Sequence, residues 1–166
     1  MKRMLVGGDG SAASFDAVRA AVNTAARMPV SLELVNVQPK LYRHIADRVP
    51  AGMRQEWRYQ RAREALAPAE RIAEEARVSW RSHQLAGSPA ARLLWCAREL
   101  AVDEIVVGAA RRGPLGRWLA NSVSSRLLEM SPVPVRVVPG ARASAFERIA
   151  LPAGLGLIAL FFLADE

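Results

Sequence analysis

A regular alternation dominates this sequence. Short apolar runs at residues 3–8, 30–38, 78–86, 103–108 and 133–138 are separated by four segments whose apolar residues recur at helical spacing. Strands that alternate with helices in this way predict a β-α-β-α-β-α-β-α-β order and a parallel sheet covered on both faces. The length of 166 residues suits one such domain with a short appendage. Apolar residues at 51% and charged residues at 23% exclude wholesale disorder.

The local signals are specific. The first run, Arg3-Met-Leu-Val-Gly-Gly8, leaves through Gly8-Asp9-Gly10, and Ser11 or Asp9 can cap the next helix. Phe15, Val18, Ala21, Val22 and Ala25 mark that helix's inner face, and Pro29 stops it. Residues 30–38 alternate and are β-branched, as a strand requires. Residues 39–52 read as a loop carrying Arg43, His44 and Arg48. Residues 53–77 read as a helix with Trp57, Ala65, Ile72 and Ala73 facing the core, and Pro68 is expected to bend or split it. In 78–86 the face bearing Val78, Trp80, Ser82 and Gln84 is not cleanly apolar, which places this strand near a sheet edge. Gly87-Ser88-Pro89 supplies turn, cap and first helical residue, and the helix over 90–100 uses Leu93, Leu94, Ala97 and Leu100. Asn121 or Ser122 caps a last helix that runs to about Met130.

Several chemistries are excluded by composition. The lone Cys96 rules out a disulfide framework or a multi-thiolate zinc site, and two histidines, His44 and His83, cannot build a multi-histidine metal centre. His83 reads as structural, His44 as solvated and Cys96 as a small buried hydrophobe. No Gly-x-Ser-x-Gly is present, and no Ser/His/Asp arrangement is evident, so no catalytic residue and no enzyme activity are expected. The start, MKRMLVGGDG, lacks the apolar core of a secretory signal, which makes a reducing cytoplasm the expected location. The formal charge is +7, carried almost entirely by arginine since only Lys2 and Lys40 are lysines. Such a surface suits anionic ligands, and codon bias accounts for it equally well. Only Trp57 and Tyr59 sit among basic residues and no RNA-binding signature occurs, so no specific nucleic acid is expected.

In a parallel sheet, ligands sit beyond the carboxyl ends of the strands where connections diverge. Two glycine-rich turns qualify. Gly8-x-Gly10-x-x-Ala13 fits a relaxed dinucleotide fingerprint, yet the second strand ends Val37-Gln38-Pro39 without the acidic residue a ribose requires. By itself it reads as a tight turn with a cap. The stretch from Gly108 to Ser122 combines three glycines, Arg111, Arg112 and Arg117, and a capped helix, the ingredients of an anion cradle. It contains no Gly-Lys-Ser/Thr and is therefore not a Walker A loop. A long basic loop with a good N-cap is the competing reading.

The pieces MLVGGDGSxxS (4–14), LVNVQP (34–39), GSPA (87–90), DEIVVG (103–108), GPLGRWLxxSVS (113–124) and SPVPVxVVP (131–139), in this order and spacing, resemble the universal stress protein family over about residues 1–139. The resemblance implies an α/β fold with a doubly wound, five-stranded parallel sheet in the order 3-2-1-4-5, similar to the adenine nucleotide alpha-hydrolases. It also implies a homodimer through the last strand, residues 133–138, and a regulatory rather than enzymatic role in stress response. In the ATP-binding branch, the positions of Asp9 and Val37 hold the adenine end, and a Gly-x-x-Gly-x9-Gly-Ser/Thr segment wraps the phosphates. Laid on this chain, that segment begins at Gly108 and ends at Ser122, with Arg111 and Asn121 replacing the later glycines. The ligand expected is ATP or AMP, with Mg only alongside ATP. Gly108, Arg111, Arg112, Asn121, Ser122 and the Val123 N–H are then the phosphate-side candidates. The competing reading is a nucleotide-free, dimeric interaction protein of the same fold, with Arg111 filling the phosphate cleft.

Residues 1–140 are read as the domain and 141–166 as an apolar C-terminal tail. Residues 149–164 are sixteen consecutive uncharged residues, about 24 Å as a helix against a bilayer core of roughly 30 Å. Three readings stand: packing onto the dimer or its own domain, a marginal tail anchor or interfacial segment, or an uninformative chain end. In the nucleotide-free alternative the tail contacts a membrane or protein partner. The last strand carries Pro132 and Pro134 at its start and needs a partner or protection if it lies at an edge.

Overall fold

The computed structural model of the chain describes residues 1–39, 49–109 and 122–140. Its elements are β1 (Lys2–Gly7), α1 (Ala12–Ala25), β2 (Val30–Gln38), α2 (Ala51–Glu75), β3 (Trp80–Ala86), α3 (Pro89–Glu99), β4 (Glu104–Ala109), α4 (Val123–Met130) and β5 (Val135–Pro139). The strands form one all-parallel sheet in the order β3-β2-β1-β4-β5. This is the parallel sheet covered on both faces that the alternation of runs predicts, in the doubly wound strand order that the resemblance implies.

Two cores lie on the two faces of the sheet. On one, Met4, Val6, Leu32, Leu34 and Val106 meet Val18, Ala21 and Val22 of α1 and Leu66, Ala69 and Ala73 of α2. On the other, Leu5, Val35, Ile105 and Val107 meet Leu93, Leu94 and Ala97 of α3 and Leu127 of α4. Side chains alternate along each strand, so the central strands are apolar on both sides and read as unbroken runs. The registers Val6↔Leu34 and Val6↔Val106 hold β2, β1 and β4 level, which brings their carboxyl ends together at one rim.

β3 does lie at an edge, and its exposed face carries Ser82 and Gln84. α2 departs from expectation in two ways. The helix continues unsplit through Pro68. Its buried face is Ala62, Leu66, Ala69 and Ala73, while Trp57 is 44% exposed beneath the Arg61 guanidinium. The two faces were separated by less than a turn in the apolar pattern, and small alanines rather than the large aromatic let this helix approach the sheet. Ala65 and Ile72 are half-buried at the border of that face.

Both α2 and α3 end without glycine. After α2, Arg77 N–H donates to the Glu74 carbonyl and Val78 N–H to the Ala73 carbonyl. After α3, Ala101 N–H donates to Arg98 and Val102 N–H to Ala97. Each is a Schellman closure, and each holds a non-glycine residue in the left-handed region, Arg77 at φ 55° and Ala101 at φ 47°. The apolar contact that accompanies such a closure is Val78 against the core of Ala73 in one case and Val102 with Ala97 in the other.

Candidate functional site

β1 turns into α1 on one face of the sheet, and β4 leads towards α4 on the other. Their carboxyl ends are neighbours, so the connections diverge there and leave a crevice. A cavity of about 140 Å³ occupies it. Gly7, Val35, Val37, Val107 and Gly108 of the strands line it, with Asp9 and Ser14 from the β1–α1 corner. Pro89 and Leu93 of α3 and Val123 and Ser124 of α4 complete the wall. The β1–α1 corner and the described ends of the second glycine-rich stretch, Gly108 on one side and Val123 on the other, therefore line one hollow.

The β1–α1 corner is built from local hydrogen bonds. Gly10 turns the chain at φ 81°, a conformation that costs a β-carbon-bearing residue about 1 kcal/mol or more. Ser11 caps α1: its hydroxyl accepts from Ser14 N–H at 3.2 Å. The Asp9 carboxylate accepts from Ser11 N–H at 2.9 Å. Burial alone would push the Asp9 carboxyl up. Hydrogen bonds from the Ser11 hydroxyl and N–H, the Ser14 hydroxyl and Asp9's own N–H outweigh it and hold the group below the ordinary aspartate range. Asp9 is thus a fixed, ionised acceptor at the rim of an apolar slot.

At the opposite wall, Ser122 caps α4. Its hydroxyl oxygen accepts from Ser125 N–H at 3.1 Å and lies 2.8 Å from the Ser125 hydroxyl. The following residues, Val123 and Ser124, form the first turn of the helix and line the cavity, and a helix N-terminus favours an anion. Ser122 itself stands just behind that wall.

Gly108 has a second role that its place in the sequence does not disclose. A β-carbon there would lie 2.0 Å from the Ala13 carbonyl oxygen and 2.3 Å from its carbon. The missing side chain lets β4 pass under the first turn of α1. The neighbouring Gly7 is freer: its β-carbon would meet Val107 at 3.2 Å.

Of the sequence-derived candidates, Asp9, Val37, Gly108 and Val123 line the cavity and Ser122 adjoins it. Arg111, Arg112 and Asn121 lie outside the described residues, as do His44 and the tail from 141 to 166. The sequence reading passed over Gly7, Ser14, Val35, Pro89, Leu93, Val107 and Ser124. Strand alternation could have found two of them, because Val35 and Val107 sit on the same sheet face as Val37 and beside the glycine end of β1. The remaining titratable candidates serve the fold. His83 Nε2 lies 2.6 Å from the Glu33 carboxylate, which is buried between β1 and β3. Cys96 is buried in the core, and burial, then the Glu33 charge, push its thiol up, away from nucleophilic reactivity. Among the described residues, no three His, Cys, Asp or Glu side chains are grouped to hold a metal, and no helix is long and apolar enough to cross a membrane.

Residues 1–139 match the universal stress protein family. The chain belongs to that family. A universal stress protein of Methanocaldococcus jannaschii is 28% identical over 144 residues, covering 82% of this chain and 81% of its own. The fold is shared with solved members. A protein of the family from Burkholderia pseudomallei superposes with TM-score 0.68 at 24% identity, over 84% of this chain and 96% of its own. A universal stress protein in complex with cAMP gives 0.63 at 24% identity, over 84% and 98%. An Arabidopsis thaliana member with AMP bound gives 0.64 at 17% identity, over 92% and 99%.

Proposed function

We propose that this universal stress protein is a regulatory module that binds an adenine nucleotide, AMP or ATP, in the crevice between β1 and β4. The observation that carries the reading is the convergence of an apolar slot, an ionised acceptor and a helix N-terminus on one cavity. Val35, Val37, Leu93, Pro89 and Val107 suit the flat faces of a purine. Asp9 would accept hydrogen bonds from the exocyclic amine or a ribose hydroxyl. The N–H groups at Val123 and Ser124 would face the phosphate, with Gly108 beneath it. Arg111 and Arg112 follow Gly108 in the chain and would supply counter-charge, and Asn121 precedes the cap. Mg would enter only with ATP, held by phosphate oxygens and not by a protein cage.

Our reading is one of binding and signalling without turnover; among the described residues that line the cavity, the one titratable side chain, Asp9, serves as an acceptor. The solved relatives described with cAMP and AMP support the ligand class. The same reading places the protein in the cytoplasm as a homodimer through the outer edge of β5, with a protein partner that senses occupancy, and leaves membrane contact to residues 149–164.

The test is calorimetric titration with ATP, AMP and cAMP, alongside mass spectrometry of the gently denatured, freshly purified protein for a carried-over adenine nucleotide. Micromolar affinity is expected, and Asp9→Ala should weaken it on the order of tenfold, the worth of one or two lost hydrogen bonds. Absence of affinity below millimolar for every adenine nucleotide removes the proposal in favour of a nucleotide-free interaction protein.

A further inference from the structure

The floor of the crevice is held from behind by an amide that the cavity never touches. Asn36 lies on β2 between Val35 and Val37, which both line the cavity, so its side chain leaves the strand on the opposite face. It is 2% exposed there. Its Nδ2 donates to the Gly8 carbonyl at 2.6 Å, and its Oδ1 accepts from Gln38 Nε2 at 2.8 Å. The Gly8 N–H in turn donates to the Val35 carbonyl at 2.9 Å.

We propose that Gln38 and Asn36 form an amide relay that positions the Gly8–Asp9 corner for ligand, resting on the adenine-site reading above. An amide side chain has a donor end and an acceptor end of nearly the same shape, and only its partners decide which end points where. Gln38 donates to one end and so leaves the other to donate to Gly8. That bond turns the Gly8 carbonyl to the α1/α2 side of the sheet. The peptide is trans, so the N–H of Asp9 points away from that bond. That N–H is one of the groups, with Ser11 and Ser14, that hold the Asp9 carboxylate ionised. Without the relay, this peptide could rotate about Gly8, which has no β-carbon to restrain it. Gly8 tied at both its N–H and its carbonyl is a flexible residue made rigid by its neighbours. Asn36 is therefore a positioning residue: it acts on ligand only through Asp9.

The experiment compares wild type, Asn36→Ala and Gln38→Ala by calorimetric titration with adenosine and with AMP, well below each protein's melting temperature. A positioning role predicts that Asn36→Ala weakens adenosine and AMP by the same factor, on the order of tenfold, and Gln38→Ala by a few-fold. A purely structural role would lower the melting temperature and leave the affinity of the folded protein unchanged. Folded Asn36→Ala with wild-type affinity for adenosine overturns the proposal. Should Asn36→Ala not fold, wild-type affinity in Gln38→Ala overturns it, since Gln38 stands at the strand's half-exposed end. If wild type binds neither compound below millimolar, the adenine-site reading fails first and the relay's role falls with it. That outcome is told apart because it precedes any variant.

Discussion

Gly108 is fixed by a backbone, not by a ligand. The Ala13 carbonyl occupies the space a side chain would need, at 2.0 Å from an ideal β-carbon. No rotamer relieves a clash between two backbones, so β4 or α1 would have to move. Gly108→Ala is expected to lower stability by about 3 kcal/mol, the upper end of overpacking costs, and a urea midpoint shift measures it. Gly7→Ala meets only the Val107 side chain and should cost far less. Sequence reading could find Gly108, because a glycine closing an apolar strand before a basic loop is conspicuous. It could not separate a glycine that admits phosphate from one that admits a neighbouring helix. That distinction depends on a residue almost a hundred positions away. Asp9 was legible as a site residue only through the family resemblance, although the groups that keep it ionised, Ser11 and Ser14, are local in sequence. Asn36 was not, since its partner Gly8 lies on another strand.

The helices show the same contrast between local and distant causes. α1 and α4 begin where serine caps announce them, at Ser11 and Ser122. α2 and α3 stop where no glycine announces it, and the closures at Arg77 and Ala101 place side-chain-bearing residues in a left-handed conformation. Ala101→Gly removes that strain at the end of α3. Part of the gain is returned through the greater freedom of glycine in the unfolded chain, leaving about 0.5–1 kcal/mol of added stability, seen as a higher urea midpoint. An unchanged or lowered midpoint would show that Ala101 is not strained. On the inner face of α2, Ala73 was read correctly and Trp57 was not: aromatic bulk suggested burial there, whereas Ala62, Leu66 and Ala69 complete the contact. Apolar size marks a core only when the space between elements can take it.

The order of runs along the chain made a covered parallel sheet readable, because a strand–helix–strand unit with parallel strands has one common handedness and few arrangements, and the family resemblance supplied the strand order. The cavity followed from topology once β1 and β4 were neighbours. The shape of its walls did not, since α3 contributes Pro89 and Leu93 from a segment with no signal of its own for a ligand. At this scale the proposed homodimer is the property to measure. β5 pairs with β4 along one side, and the four residues Val135 to Val138 remain only half-buried within one chain. Pairing across a two-fold axis would cover that outer edge. Sedimentation velocity at micromolar concentration is expected to give twice the 18.1 kDa of one chain. A species of single-chain mass would refute the pairing.

α4 touches the buried core through one side chain, Leu127, while its first residues wall the crevice and its last ones run through Ser131–Pro134 into β5. Eight residues of helix measure about 12 Å. A rod of that length reaches from the hollow toward the sheet's outer strand, so the crevice wall and the edge offered for pairing are joined through one short rigid element.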